Sequence, residues 1–234
     1  MGELKDKIYS MEEAMKASIE YFNGDIMAAD VWIKKYALKD MDGNLHEKTP
    51  DDMHKRLASE FARIEKKYKN PLSEEKIYEL LKGFKYIIPG GSPMSGIGNN
   101  YQTVSLSNCY VIGNDVDCDS YGGILRLDEE LIQLSKRRGG VGLDLSFIRP
   151  SGDKVHNSAL TSTGIIPFME RFSNSTREVA QSGRRGALLE SISIKHPSAE
   201  AFIDAKMVEG KIAGANISVR IDDAFMSAVT NNEK

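Results

Sequence analysis

Two short segments of this chain carry residue types that do chemistry. One is the strand-like run Leu106-Ser107-Asn108-Cys109-Tyr110-Val111-Ile112, which holds a single cysteine, and the other is the Gly- and Arg-rich stretch Val179-Ala180-Gln181-Ser182-Gly183-Arg184-Arg185-Gly186-Ala187. A cysteine thiol can exchange electrons with a second thiol, and a glycine loop with two arginines can place N–H and guanidinium groups against a phosphate or a base edge. The two segments together indicate a redox enzyme that handles nucleotides.

Composition limits the classes of protein to consider. The 234 residues are 41% hydrophobic and 28% charged, which is typical of a globular protein with a core, and the net charge of −3 gives no general attraction to nucleic acid or to anionic membranes. No run of about 18 apolar residues occurs, and the N-terminus lacks the basic-then-apolar pattern of a secretory signal. We therefore expect a cytoplasmic protein with no nucleic-acid or membrane partner, in which Cys109 and Cys118 are reduced.

The periodicity of apolar residues changes near residue 88. Helical spacing dominates residues 8–84, where Thr49 or Asp51 could cap one helix and Ser73 opens another, whereas β-rich runs alternate with helical runs after Ile88. This alternation is typical of α/β construction. We predict strands over 104–112, 141–146, 186–194 and 215–221, and helices over 121–137, 167–181, 198–206 and 222–228.

The chemical segments also have structural interpretations. A cysteine in a strand is commonly a small core residue, and a redox role for Cys109 needs a second thiol with its Cα about 4.4–6.8 Å away. Cys118 could approach only through a hairpin. The basic run at Lys136 can cap a helix or can bind phosphate together with Arg149, and the 181–186 loop can be a solvated turn or can hydrogen-bond a base.

Two predicted helices carry apolar stripes that are open to two interpretations. Ile124, Leu127 and Leu131 recur at three and four residues, and Met169 and Phe172 do so on the next long helix. Such stripes usually cover a sheet, but they can also pair with copies of themselves in a dimer. His156 and His196 belong to no cluster with metal-ligand spacing, so we expect no metal site.

Taken in order, the segments from Ile88 onward resemble the large, catalytic subunit of ribonucleotide reductase. The motifs that carry the resemblance are Ser92-Pro93, Leu106-Ser107-Asn108-Cys109, Asp119-Ser120-Tyr121, Ser135 to Gly142, Ile148-Arg149-Pro150-Ser151-Gly152, Gly164 to Phe168, Gln181 to Ala187, His196-Pro197 and Asp222 to Met226. The resemblance implies an N-terminal helical domain over 1–87, without a recognisable ATP cone, and the first half of a ten-stranded α/β barrel with an effector site over 88–234. Without the cone, overall control by dATP is not expected.

The resemblance also implies roles for single residues. Cys109 would be the barrel cysteine that supplies electrons to the substrate by forming a disulfide with a cysteine later in the chain. The implied substrate-contacting residues are Ser92, Asn108, Gly140, Gln181 and Arg185, although the family often has a small residue where Asn108 stands. The implied effector-binding residues are Asp119, Ser120, Tyr121, Lys136, Arg149, His156 and Asn157.

The chemistry of the family needs more than these residues. A second barrel cysteine, which becomes a thiyl radical, and its neighbouring Asn and Glu are expected after Cys109, but no Asn-x-Cys-x-Glu segment follows it. We therefore expect an N-terminal portion that is active only with its C-terminal remainder. The implied partners are a second copy bound through helices 121–137 and 165–181, deoxynucleoside triphosphate or ATP effectors, and a thioredoxin- or glutaredoxin-type reductant.

The chain itself is expected to bind no cofactor, because the radical would come from a metal-bearing small subunit or from adenosylcobalamin. A non-catalytic nucleotide-binding regulator derived from the same fold is the alternative function.

Overall fold

A computed structural model describes residues 7–113, 119–181 and 184–233 of the chain. It divides into two compact units, Met1–Asn108 and Cys109–Lys234. The helices of the first unit are α1 (Met11–Tyr21), α2 (Ile26–Lys35), α3 (Pro50–Glu65), α4 (Glu74–Leu81), a 3₁₀ turn (Lys82–Phe84) and α5 (Gly91–Gly96). The elements of the second unit are β1 (Cys109–Ile112), α6 (Tyr121–Ser135), β2 (Gly140–Asp144), α7 (Ile166–Glu178), β3 (Ala180–Gln181), β4 (Arg184–Arg185), β5 (Leu188–Ser193), α8 (Ala199–Ala205), β6 (Asn216–Arg220) and α9 (Asp223–Thr230).

Local sequence determines where the helices of the first unit begin. Thr49 caps α3, Pro50 is its first residue, and the Asp52 carboxylate accepts the Thr49 N–H at 3.2 Å. At α4 the N-cap side chain itself is the acceptor, because Ser73 Oγ accepts the Lys76 N–H at 3.2 Å. The largest side chains of the core between these helices are Trp32, Ile33, Met53, Leu57 and Leu81.

A buried ion pair joins α3 to the segment around α5. The Arg56 Nε lies 2.6 Å from Glu47 Oε1, and Arg56 also donates to the carbonyls of Met94 and Ile97. Because a buried charge must be paired and hydrogen-bonded, these contacts fix the 94–97 segment on the helical core. The residues that follow 88 therefore still pack with the first unit, which ends at Asn108. The change in periodicity places the domain boundary earlier, at residue 87.

The second unit is built on four parallel strands in the order β1-β2-β5-β6. Cys109 pairs with Gly140, Val141 with Leu188, and Leu189 with Asn216. A helix follows each of these strands, as parallel connections require. Among the described strands, β1 and β6 are the edges, so the sheet is open. The predicted α/β class is confirmed, as is the predicted order of the four sheet strands and their helices, with β1 beginning at Cys109 rather than near Val104. The helix predicted over 167–181 ends at Glu178, and the β3–β4 hairpin that follows was not predicted.

The helices cover only one face of this sheet. Val141, Leu143, Leu188 and Ile192 face α6, α7 and α8 and are buried, whereas Val111 and Leu189 on the opposite face are 72% and 43% exposed. We call this second surface the helix-free face. Because side chains alternate along a strand, each strand sends every second residue to it.

The apolar stripes of α6 and α7 belong to the core of the second unit. Ile124, Leu127, Leu131, Met169 and Phe172 are each at most 3% exposed and pack over the sheet. The interpretation of these stripes as sheet-covering faces is confirmed, and they are not available as a dimer seam. A dimer through α6 and α7 would have to use their remaining faces.

A buried carboxylic acid lies in the middle of β5. Glu190 is fully buried, pairs in register with Leu143 and Ile217, and neither carboxyl oxygen has a hydrogen-bond partner within the described part of the chain. Burial raises the pKa of Glu190 to about 8, and the positive charge of Lys206 opposes that rise. Glu190 is therefore protonated in the folded protein at neutral pH.

This protonation makes the stability of the second unit depend on pH. Between the unfolded value of 4.5 and about 8, the folded Glu190 holds a proton that the unfolded chain has lost. Its favourable contribution is therefore complete below pH 4.5 and is lost as the pH rises towards 8 and above. Glu190 should by itself lower the free energy of unfolding by about 1.4 kcal/mol for each pH unit in this window.

We expect Glu190→Gln to remove this slope, because glutamine does not titrate. Urea unfolding at several pH values from 5 to 8 measures it. Glu200→Gln, an exposed change on α8, is the matched control and should keep the slope. An unchanged slope in Glu190→Gln would contradict the assignment.

Candidate functional site

Cys109 and Gly140 are neighbours on the sheet. Cys109 is the first residue of β1 and is exposed, and its register partner is Gly140, the first residue of β2. Adjacent strands lie about 4.8 Å apart, so the thiol-bearing residue borders a position without a side chain. The interpretation of Cys109 as a small buried core residue is wrong, because the strand begins at an uncovered edge. Cys118 lies outside the described residues.

The glycine that precedes Gly140 has a packing reason. A Cβ at Gly139 would lie 2.9 Å from the Tyr110 ring and 3.1 Å from the Leu134 carbonyl oxygen. Glycine at this position therefore lets β2 start close beside β1 directly after α6. This packing explains the glycine at position 139.

Ser92 and Asn108 are brought together within the first unit. The Ser92 N–H donates to Asn108 Oδ1 at 2.8 Å, although the two residues are 16 positions apart. Ser92 is fully buried in α5, and Asn108 is half-buried. These two predicted substrate-contacting residues are therefore neighbours in space.

Asp119 and Arg149 form a tight ion pair at the start of α6. Asp119 Oδ1 accepts the Arg149 backbone N–H at 2.9 Å, and Oδ2 accepts from Nε and Nη2 at 2.8 Å each. Ser120 caps α6 by accepting the Gly123 N–H at 3.0 Å, and the Tyr121 ring lies edge-on to Phe168 with centroids 5.8 Å apart. Asp119 and Arg149, two predicted effector residues, are therefore in direct contact, and Ser120 and Tyr121 follow Asp119 at the start of the same helix.

The loop that follows Arg149 returns to the same place. The Arg149 Nη1 donates to the Lys154 carbonyl at 2.8 Å, and an antiparallel bridge joins Lys154 to Thr161. His156 and Asn157 lie between these anchors and are exposed. The loop therefore carries these two residues beside the Asp119–Arg149 pair, as the motif order suggested.

Lys136 is the predicted effector residue that the fold separates from the others. It is exposed and caps the C-terminus of α6, whereas Asp119 and Ser120 precede the N-terminus of this 15-residue helix. At 1.5 Å per residue the two ends are about 22 Å apart. Within one chain, Lys136 and Asp119 therefore cannot contact one small ligand.

Gln181 and Arg185 lie in a small hairpin rather than in an irregular loop. The backbone of β3 pairs antiparallel with β4 through Ala180 with Arg185 and Gln181 with Arg184. A Cβ at Gly186 would lie 2.8 Å from Thr176 Cγ2, so the chain leaves the hairpin in close contact with α7. Ser182 and Gly183 lie outside the described residues.

Sequence reasoning missed a polar network at the carboxyl end of the helix-free face. Asp144 accepts from Ser146 Oγ at 2.7 Å, from Ser191 Oγ at 3.3 Å and from Arg220 Nη2 at 2.7 Å, and Ser146 Oγ accepts the Ser193 N–H at 2.7 Å. Ser191 and Ser193 stand at alternate positions of β5, and Arg220, which pairs in register with Ser193, ends β6. The period of two along the strands is the signal that could have revealed the network. The network joins β2, β5 and β6 side to side.

His196 has a structural role. Its Nε2 lies 2.9 Å from the Ile148 carbonyl oxygen, and its Nδ1 lies 3.0 Å from the Ser198 N–H. A ring that donates from Nε2 and accepts at Nδ1 is neutral, and it ties the end of β5 to the segment before Arg149. Among the described residues, no group of three His, Cys, Asp or Glu side chains could hold a metal ion.

No helix within 7–113, 119–181 and 184–233 is both long enough and apolar enough to cross a membrane.

The protein is of the α/β class, with a helical unit before a parallel sheet. It has a cysteine on the helix-free face and an acid–arginine pair beyond the first strand. The all-alpha domain of ribonucleotide reductase matches residues 22–100, and the barrel domain of ribonucleotide reductase matches residues 107–234. The chain belongs to the large-subunit family of ribonucleotide reductase.

Relatives of known name agree with this assignment. A vitamin B12-dependent ribonucleoside-diphosphate reductase of Mycobacterium tuberculosis is 28% identical over 88% of this chain and 30% of its own length. The ribonucleoside-diphosphate reductase large chain of Neurospora crassa and the large subunit of vaccinia virus are each 32% identical over 54% of this chain, and the match covers 14% and 17% of their lengths. The chain thus spans less than a third of the length of these reductases.

The Asp119–Arg149 pair should contribute measurably to stability. Both side chains are about one-third exposed, at 29% and 33%, but the guanidinium donates twice to Oδ2 of Asp119 while Oδ1 accepts the Arg149 backbone N–H. A double-mutant cycle with Asp119→Asn and Arg149→Gln should give a coupling energy of about 1 kcal/mol. The exposed Arg126–Glu130 pair is the control and should give about 0.3–0.5 kcal/mol. Equal couplings in urea unfolding would show that the Asp119–Arg149 geometry does not persist in solution.

Proposed function

We propose that this chain is an N-terminal portion of a ribonucleotide reductase catalytic subunit, which reduces ribonucleoside diphosphates to deoxyribonucleotides together with residues that it does not contain. The observation that carries the proposal is the exposed Cys109 at the start of β1, beside Gly140 on the helix-free face. The diphosphate substrate is proposed because the similar reductases are named for it.

The proposed role of Cys109 is to supply reducing electrons. The Cys109 thiol and a second thiol outside these residues would together give two electrons and two protons. One disulfide forms, the ribose C2′–O bond breaks, the hydroxyl leaves as water, and hydrogen replaces it at C2′. A thioredoxin- or glutaredoxin-type dithiol would then reduce the disulfide by exchange. The radical that starts the reaction would come from a small subunit or from adenosylcobalamin, and no step here passes through a metal on this chain.

The acid–arginine pair is the proposed effector site. Arg149 would bind the phosphates of a deoxynucleoside triphosphate or of ATP, because a guanidinium suits phosphate geometry, and Asp119 would accept a ribose hydroxyl. Ser120 and Tyr121 would border the base, with His156 and Asn157 on the adjoining loop. The hairpin that carries Gln181 and Arg185 would contact the substrate base and would change that contact according to which effector base is bound.

A second copy of the chain is the proposed partner at this site. Tyr121 and Leu125 on the outer side of α6 are 65% and 46% exposed and lie next to the proposed effector site. Exposed apolar residues that are grouped in this way favour association. In a dimer, Lys136 could reach an effector bound to the partner, whereas it cannot reach one bound to its own Asp119.

The alternative is a non-catalytic regulator that binds nucleotides through the Asp119–Arg149 site. The observation that favours it is that Asp119 and Arg149, which would bind the nucleotide, both belong to the second unit and contact each other there. A redox site, in contrast, needs a second thiol in addition to Cys109. The two functions share the effector site and differ in turnover.

Reconstitution tests the proposed function. The chain is combined with the C-terminal remainder of the subunit, effector, dithiol reductant and radical source, and deoxynucleotide formation is measured. Cys109→Ser should lower multiple-turnover activity at least about a hundredfold, because the electron pair cannot be delivered.

The matched control is Cys118→Ser, which removes the other thiol of the chain and should keep activity. Repeated turnover by Cys109→Ser would overturn the role of Cys109. Nucleotide binding by calorimetry without activity in any reconstitution would favour the regulator.

A further inference from the structure

We propose that Asn108 is a positioning residue that caps α5 and holds Ser92 in place, rather than a residue that contacts substrate. The inference rests on the proposed function for the importance of Ser92, and on the geometry of the first unit for the contact itself. It changes the role that the family resemblance implies for Asn108.

Helix α5 begins without a capping side chain of its own. Its N-cap is Gly90, which has no side chain, and Ser92 is the second residue of the helix. N–H groups in the first turn of a helix have no partner within the helix and are usually satisfied by an Asn, Asp, Ser or Thr at the N-cap. Here the Ser92 N–H donates to Asn108 Oδ1 at 2.8 Å. Asn108, which lies 16 positions after Ser92, therefore supplies the acceptor that an N-cap side chain would normally supply.

The side chain of Asn108 occupies the space in front of Gly90. A Cβ built on Gly90 would lie 2.2 Å from Asn108 Nδ2 and 3.2 Å from its Cγ. Contacts of 2.2 Å do not occur, so Gly90 must lack a side chain for Asn108 to stand where it does. The effect of adding a side chain at position 90 therefore depends on which side chain stands at position 108.

The other side of the turn is closed by an aromatic ring. A Cβ at Gly91 would lie 3.0 Å from Cε1 of Tyr36, and the Ser95 hydroxyl donates to the Gly91 carbonyl at 3.0 Å. The start of α5 therefore packs between Tyr36 and Asn108. With Ser92 fully buried, the Asn108 amide determines where Ser92 lies relative to the helical core.

The contact between Asn108 and Gly90 gives a test by rescue. Gly90→Ala should destabilise the chain, because the new methyl group meets the Asn108 amide. Asn108→Ala should also destabilise it, since the Ser92 N–H loses its acceptor. The double variant should be more stable than Gly90→Ala alone, because alanine at 108 leaves room for the methyl group. Urea unfolding measures all three variants, and a double variant that is less stable than Gly90→Ala would overturn the capping geometry.

A second readout separates positioning from direct contact. In the reconstituted enzyme, Asn108→Ala should raise KM for the ribonucleotide about tenfold and change kcat less than about twofold, because Ser92 is displaced and the thiol remains. Asn108→Asp keeps an oxygen that accepts the Ser92 N–H, so its KM should stay within about threefold of the native value.

Direct contact with an anionic substrate predicts the reverse order, because the added negative charge of Asn108→Asp would raise KM more than alanine does. That order would overturn the proposal. Inactivity of the native reconstituted enzyme would count against the proposed function alone, since the rescue experiment tests the capping contact without turnover.

Discussion

The second unit depends on one constraint, which is that its four parallel strands are covered by helices on one face only. Alternation along each strand then separates the side chains into two sets. Leu143, Leu188 and Ile192 pack under α6, α7 and α8, whereas Cys109 and the Asp144 network belong to the helix-free face. The side chain of Cys109 can remain exposed on a well-packed unit because this burial is one-sided. The same constraint buries the apolar stripes of α6 and α7 against the sheet, so that any association between copies must involve other surfaces.

Position along a helix decides which of the proposed effector-binding residues can contact the same ligand. Asp119 and Ser120 stand directly before α6, and Arg149 reaches Asp119 from the segment after β2, so residues from two separate places in the sequence meet at one end of one helix. Lys136 belongs to the opposite end. Its motif resembles that of a phosphate-binding residue, but a 15-residue helix is a rigid spacer of about 22 Å. Only a second chain could bring such a residue back to the site.

The Arg56–Glu47 pair and Glu190 are buried, and each avoids the cost of an unpaired buried charge in a different way. Arg56 and Glu47 satisfy each other and two carbonyl groups, and this joins α5 to the helical core. Glu190 has no such partner among the described residues, so it stays protonated instead, and burial raises its pKa to about 8. The two solutions have different consequences. The paired charges connect elements, whereas the unpaired acid makes the second unit sensitive to pH.

The sequence by itself determined the class of fold, the order of the four sheet strands and their helices, and the start of α4 at Ser73, because periodicity and capping are local properties. It left Thr49 and Asp51 as alternative caps for α3, and the structure has Thr49 as the N-cap. It also contained the motifs that resemble the reductase family, and the family membership is now established. Tertiary structure alone decided that Cys109 is exposed and that Glu190 is buried with no hydrogen-bond partner among the described residues. It also decided that Asn108 accepts the N–H of Ser92, 16 positions earlier in the chain, and that Lys136 is remote from Asp119. The reason is physical: burial, cross-strand register and contacts between distant residues depend on how elements pack, and no local pattern encodes which face of a sheet the helices leave uncovered.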